Sequence, residues 1–130
     1  MKLSDLTGYD LIYVGSPYTK YPAGIEAAFA DVCSLMGALL HKGLKAYSPI
    51  AHTHPIAIHG QIDPLDHQFW LAYDAAMMAK SDAMIVAMMD GWEVSYGIRH
   101  EIETFQTANK PVFFLNPKSL SVRLGYSSAA

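Results

Sequence analysis

Glu101 lies six residues after Ser95 and four after Gly97, near the end of the stretch MIVAMMDGWEVSYGIRHEIETF that runs from Met84 to Phe105. The apolar first part of that stretch stops at Asp90-Gly91-Trp92, and a helical spacing carrying Glu101 begins after it. A buried strand, a tight glycine turn and a helix follow from the pattern, an arrangement that sets a small anionic ligand at a helix N-terminus. At 3.6 residues per turn Gly97 and Glu101 share one face, and the missing Cβ of Gly97 leaves room for a ligand or a strand. A carboxylate so placed can serve as nucleophile or base, or it can be a solvated helix glutamate, as Glu103 is expected to be. Ser95 suits the helix cap, where its hydroxyl takes a backbone N–H, and capping is compatible with anion binding.

A second carboxylate, Asp74, stands on the predicted helix before the third strand, on the half that faces the same sheet edge. Two carboxylates from different elements at one pocket suit nucleophile-plus-acid chemistry at a glycosidic carbon, with a surface aspartate as the competing reading. His52 and His54 invite a metal, with His59, Asp63, Asp66 and His67 nearby. Two histidines at i, i+2 in a proline-broken segment do not make a zinc signature, so no metal is expected, and His54 is read as lining or stacking in the pocket. Tyr18, Phe69, Trp70, Tyr73 and Trp92 are the aromatics available for a base-binding pocket, although several belong in the core. Gly15-Ser16-Pro17 carries neither the phosphate-loop pattern nor the dinucleotide fingerprint, so no cofactor is expected.

The elements that must hold these residues follow from periodicity. Strands are predicted over residues 11–15, 44–48, 83–88 and 112–115, and helices over 23–42, 66–80 and 95–108. Residues 50–64, with three histidines, two prolines and a glycine, read as an irregular lid or specificity loop, and 116–130 as a poorly patterned polar tail. Alternating strands and helices imply one α/β domain over 1–130, a flavodoxin-like three-layer sandwich with a four- to five-stranded parallel sheet. In such sheets ligands collect outside the carboxyl ends of the strands, which draws Gly15-Ser16, residues 49–54 and residues 90–95 to one edge.

Composition bounds the function. The 130 residues, 52% of them hydrophobic, can bury a full core, and a net charge of −3 provides no basic stripe for duplex nucleic acid. Cys33 is the lone cysteine and has no internal disulfide partner, which points to a reducing cytoplasm and a small apolar role inside its helix. No uninterrupted apolar span approaches roughly 20 residues and no basic leader precedes one, so no membrane partner is expected.

With Tyr13, Asp74, Asp82, Ser95, Gly97 and Glu101 in view, and the motifs GSPY, SPIxHTHP and GWxxSxGxxxE in that order, the chain resembles the nucleoside 2-deoxyribosyltransferase superfamily and its nucleotide N-glycosidase relatives. The resemblance spans about residues 11–117 and is closest to a bacterial and phage branch without an assigned function. It implies that Glu101 attacks the anomeric carbon to form a covalent glycosyl-enzyme, that Tyr13 orients it, and that Asp74 contacts the leaving base. Ser95 stands where the transferases carry an aspartate for a free 5′-hydroxyl. A serine there resembles the branch that hydrolyses nucleoside 5′-monophosphates, since a hydroxyl at a helix N-terminus accepts a dianion that an aspartate repels. Ser16 is a further candidate phosphate ligand. Hydrolysis of a nucleotide or nucleoside, completed across subunit contacts in a homo-oligomer, is the implied activity. Transfer to a second base, or nucleotide binding without turnover, are its alternatives.

Overall fold

The computed structural model describes residues 1–126. In chain order they form β1 (Ile12–Gly15), α1 (Ile25–His41), β2 (Ala46–Tyr47), α2 (Pro49–His59), α3 (His67–Lys80), β3 (Ala83–Ala87), α4 (Tyr96–Thr107), β4 (Val112–Leu115) and β5 (Val122–Tyr126), with short 3-10 turns at Leu3–Leu6 and Trp92–Val94. The strands make one sheet in the order β2-β1-β3-β4-β5. The first four run parallel, with Ile12 opposite Ala83 and Met84 opposite Val112. The fifth is antiparallel to β4. The architecture is α/β, a mostly parallel mixed sheet that fits a three-layer sandwich.

Strand side chains alternate between two faces, and each face builds its own core. Ile12, Val14, Ile85, Ala87, Phe113 and Leu115 pack with Val32, Leu35, Met36 and Leu39 of α1. Tyr13, Met84, Val86, Val112 and Phe114 point the other way and pack with Met78 of α3 and Ile98 and Phe105 of α4. Strand order reverses between β1 and β3: the chain leaves β1 toward β2 on one side and continues from β3 toward β4 on the other. That is the crevice where open α/β sheets accept ligands. Asp82 closes the opposite end of this pair, its carboxylate accepting the amides of Asp10 and Leu11 at 3.2 Å each.

Three segments depart from the sequence expectation. Residues 50–64 do not form an irregular loop, because Pro49–His59 is helical. Ser48 caps that helix by accepting the Ala51 amide at 3.1 Å, and Pro49 opens it at a position where a missing N–H costs nothing. Pro55 is tolerated inside it, with burial of His54 and Ala57 against the body of the protein to offset the lost bond. The sheet is not wholly parallel, since Val122–Tyr126 returns as an antiparallel edge where a tail was expected; residues 127–130 of that tail lie outside the described residues. β2 shrinks to two residues, as the edge strand pairs only with Ile12 and Tyr13. Among the described residues no helix is long and apolar enough to cross a membrane.

Candidate functional site

A cavity of about 380 Å³ opens at the carboxyl ends of β1 and β3. Its wall takes Ser16 and Tyr18 from the loop after β1, Thr53 and His54 from α2, Trp70, Leu71 and Asp74 from α3, and Ser95, Gly97, His100 and Glu101 from the start of α4. Glu101 is the centre of its polar part. Tyr13 Oη donates to Glu101 Oε2 at 2.6 Å, a bond reaching from the middle of the sheet to a helix 88 residues later in the chain. The Tyr13 ring is fully buried, packed on Tyr47 and Phe105, so the donor has one place to be.

Burial governs the charges. It pushes the Glu101 carboxyl up to about 8; the Tyr13 hydrogen bond pulls the other way, and the neighbouring Asp74 adds to the rise. Burial likewise pushes Asp74 up to about 6. The Tyr13 phenol is driven far up by burial and then by Glu101 and Asp74, so it remains a donor at every pH of interest. Two carboxyl groups with raised and unequal affinities for a proton, beside one cavity, are what acid and base roles require.

Polar atoms without partners cluster on this side of the sheet. Asp74 Oδ1, Ser16 Oγ and Tyr47 Oη are buried with no hydrogen-bond partner among the described residues. Buried polar atoms are normally paired, so the unpaired Asp74 and Ser16 atoms beside a cavity are acceptors or donors available to a ligand. Gly15 explains how Glu101 fits so close to the strand: a Cβ there would meet Glu101 Oε1 and Met84 Cε at 2.7 Å each. At Gly97 a Cβ would meet nothing nearer than Ser95 Oγ at 3.9 Å, so that position faces open cavity. Ser95 is buried and caps α4, its Oγ accepting the Ile98 amide at 3.2 Å, which leaves its own proton free to donate. Gly91 makes the turn before it, with φ +91° and the Lys20 carbonyl carbon and oxygen packed against the space a Cβ would take.

The structure thus brings Glu101, Tyr13, Asp74, Ser16, Tyr18, His54, Ser95 and Gly97 to one place. It does not bring Trp92 there: that indole packs edge-on against Phe114, 5.6 Å between ring centres, in the core under β4. Nor do the histidines gather. His52 Nε2 meets Tyr73 Oη at 2.9 Å, while both nitrogens of His54 are engaged by Tyr18 and Glu26. Asp63 and Asp66 serve the turn and cap before α3, accepting the amides of Leu65 and Phe69. Cys33 is a partly buried free thiol that burial pushes up.

Sequence reasoning missed Lys20, the one lysine or arginine among the described residues that line the cavity, and Thr53 and Leu71; His67, named only beside the metal reading, lines it too. The alternation that buries Tyr13 beside Gly15 was available in the sequence, but not the fold of 49–59 that carries Thr53 inward. A family model described as a domain of unknown function, DUF1937, matches residues 10–116 of the chain. No curated protein matches it.

Proposed function

The chain belongs to the DUF1937 family, and from the geometry of its cavity we propose that it hydrolyses the N-glycosidic bond of a nucleoside 5′-monophosphate or nucleoside through a glycosyl-Glu101 intermediate. The observation that carries this reading is the Glu101 carboxyl gripped by Tyr13 at 2.6 Å beside a second half-buried carboxyl, Asp74. In the first half-reaction the minor form of the pair reacts, Glu101 ionised and Asp74 protonated: Glu101 attacks the anomeric carbon as the bond to the base breaks, and Asp74 gives its proton to the departing base. Tyr13 fixes which carboxylate oxygen is free to attack, because Oε2 is held. In the second half, water displaces Glu101 from the same carbon, and two displacements retain configuration.

Aromatic and apolar surface from Trp70 and Leu71 suits a base. The phosphate is assigned to the N-terminus of α4, with the free Ser95 proton, the unpaired Ser16 Oγ and Lys20 around it. The sheet order also supports the flavodoxin-like arrangement, and exposed apolar side chains Ile56, Ile58, Leu65 and Phe69 on α2, α3 and the segment between them suit a homo-oligomer. The test is chromatography of nucleoside 5′-monophosphates and free nucleosides after incubation with the wild type and with Glu101→Ala. Free base from the wild type alone is the expected result. No base from any substrate, with or without an acceptor base, would sink the reading.

A further inference from the structure

His54 is a buried side chain with both ring nitrogens engaged, and the two half-reactions above do not use it. It is 2% exposed, its ring stacks on Phe29 at 4.6 Å and 23°, and the Tyr18 ring stands edge-on to it at 5.7 Å. Its Nδ1 lies 2.5 Å from Tyr18 Oη and its Nε2 3.0 Å from Glu26 Oε1. Glu26, in the first turn of α1, has a side chain 75% exposed. A carboxylate only accepts, so in the neutral ring Nε2 carries the proton and Nδ1 accepts the Tyr18 hydroxyl. The result is a line of three groups from three elements, running from the cavity wall through a buried ring to solvent.

We propose that Tyr18, backed by His54 and Glu26, takes the proton from the water that resolves the glycosyl-enzyme; this rests on the glycosidase reading. The water oxygen bonds to the anomeric carbon as the bond from that carbon to Glu101 breaks and its electron pair returns to the carboxylate. The water's proton passes to Tyr18 Oη while the phenol's own proton passes to His54 Nδ1. The imidazolium so formed is paired with the Glu26 carboxylate, and once product has left, its Nδ1 proton returns through Tyr18 Oη to water in the cavity, which restores the Nε2–H ring. The proton given to the base by Asp74 in the first half is thereby matched by one released in the second, and Asp74 regains its proton from solvent before the next turnover. Burial and the charge of Glu26 both raise the Tyr18 pKa, so the phenol holds its proton at rest and acts as a relay rather than a standing phenolate. Tyr18 is the group that touches the water, and His54 and Glu26 position it and share its proton.

The same trio could act only as a brace between α1, α2 and the loop after β1, so the test must read the step and not just the rate. A nucleoside 5′-monophosphate that the wild type cleaves is mixed with wild type, Tyr18→Phe and Glu26→Gln. Base release is followed before and during steady state, intact mass is recorded after acid quench, and azide is added as a nucleophile that needs no base. Tyr18→Phe is expected to keep the first-turnover burst within about threefold while steady turnover falls on the order of 100-fold. A glycosyl adduct accumulates and azide restores turnover. Glu26→Gln, whose exposed side chain leaves folding intact, gives the same pattern at about tenfold. Equal loss of burst and turnover in Tyr18→Phe, with no adduct and no azide rescue, would reduce the trio to a brace, as would wild-type turnover in both variants. A wild type that releases no base at all overturns the glycosidase reading and this inference with it, which separates that failure from the other two.

Discussion

The two faces of the sheet are built from the same four parallel strands by alternate residues, yet they behave as different materials. On the α1 side, Ile12, Val14, Ile85, Ala87, Phe113 and Leu115 belong to one hydrophobic cluster with α1. On the α3–α4 side the same strands contribute Tyr13 and Gly15 at the crevice, and there the packing gives way to Glu101, Asp74 and unpaired polar atoms. One face supplies stability and the other gives some of it up, since a buried carboxyl is disfavoured in its charged form and unpaired polar atoms cost free energy. The contrast supports assigning chemistry to the second face, because a fold tolerates such groups where a ligand completes them.

The largest effects should separate the faces cleanly. Glu101→Ala is expected to lower base release by a factor on the order of 10⁴ or more, the scale for losing an activated nucleophile. Leu39→Ala, in the apolar core on the other face, should cost about 2–5 kcal/mol in denaturant unfolding and leave kcat near the wild-type value. The second face should also make stability depend on pH. Glu101 rises from 4.5 to about 8 on folding, so the folded protein holds a proton that the unfolded chain gives up, and stability falls as pH climbs through that window. Glu101→Gln should flatten that fall in Tm and melt above the wild type at pH 8, by about 4 °C for each ~1 kcal/mol regained. A Glu101→Gln curve parallel to the wild type would mean the carboxyl is not buried as described.

Asp74→Asn comes next. With Asp74 near 6 and Glu101 near 8, the pair holds one proton between those values, and kcat/KM should be bell-shaped with limbs at about 6 and about 8. Below the window both are protonated and no nucleophile is available; above it both are charged and no acid remains. Asp74→Asn should lower the rate about 10²- to 10⁴-fold and abolish the alkaline limb while keeping the acidic one. The remaining limb is then the ionisation of Glu101 alone, below about 8 because the Asp74 charge no longer opposes it.

Much of this contrast could be read from the sequence. The short apolar runs IYVG and AMIVA, and the punctuation around Gly91 and Ser95, located the strands, the α4 cap and the carboxylates. What failed was local reasoning about prolines. Pro49 and Pro55 read as breakers, but one occupies a first helical turn and the other is held by packing that no window of sequence displays. Trp92 was misplaced for a related reason: an aromatic after a strand can turn to the core or to the cavity, and only the Phe114 ring decides it. The His54 relay was invisible because Tyr18, Glu26 and His54 come from three segments with no shared spacing.

The smallest effects sharpen the comparison at two glycines of the same face. Alanine at Gly15 places a Cβ 2.7 Å from both Glu101 Oε1 and Met84 Cε, so the carboxylate must move. A shift near 1 Å at a reacting group costs on the order of 10²-fold, and kcat should fall by that much while the melting temperature drops modestly. Alanine at Gly97 meets only Ser95 Oγ at 3.9 Å and sits in the first turn of α4, where it should stabilise the helix by up to ~1 kcal/mol. The new methyl occupies cavity that a substrate needs, so KM should rise several-fold with kcat little changed. Steady-state kinetics beside thermal melts reads both variants. If Gly97→Ala stabilises the protein and leaves KM untouched, the substrate does not approach α4 at that turn, and the phosphate must be sought at Ser16 and Lys20 without it.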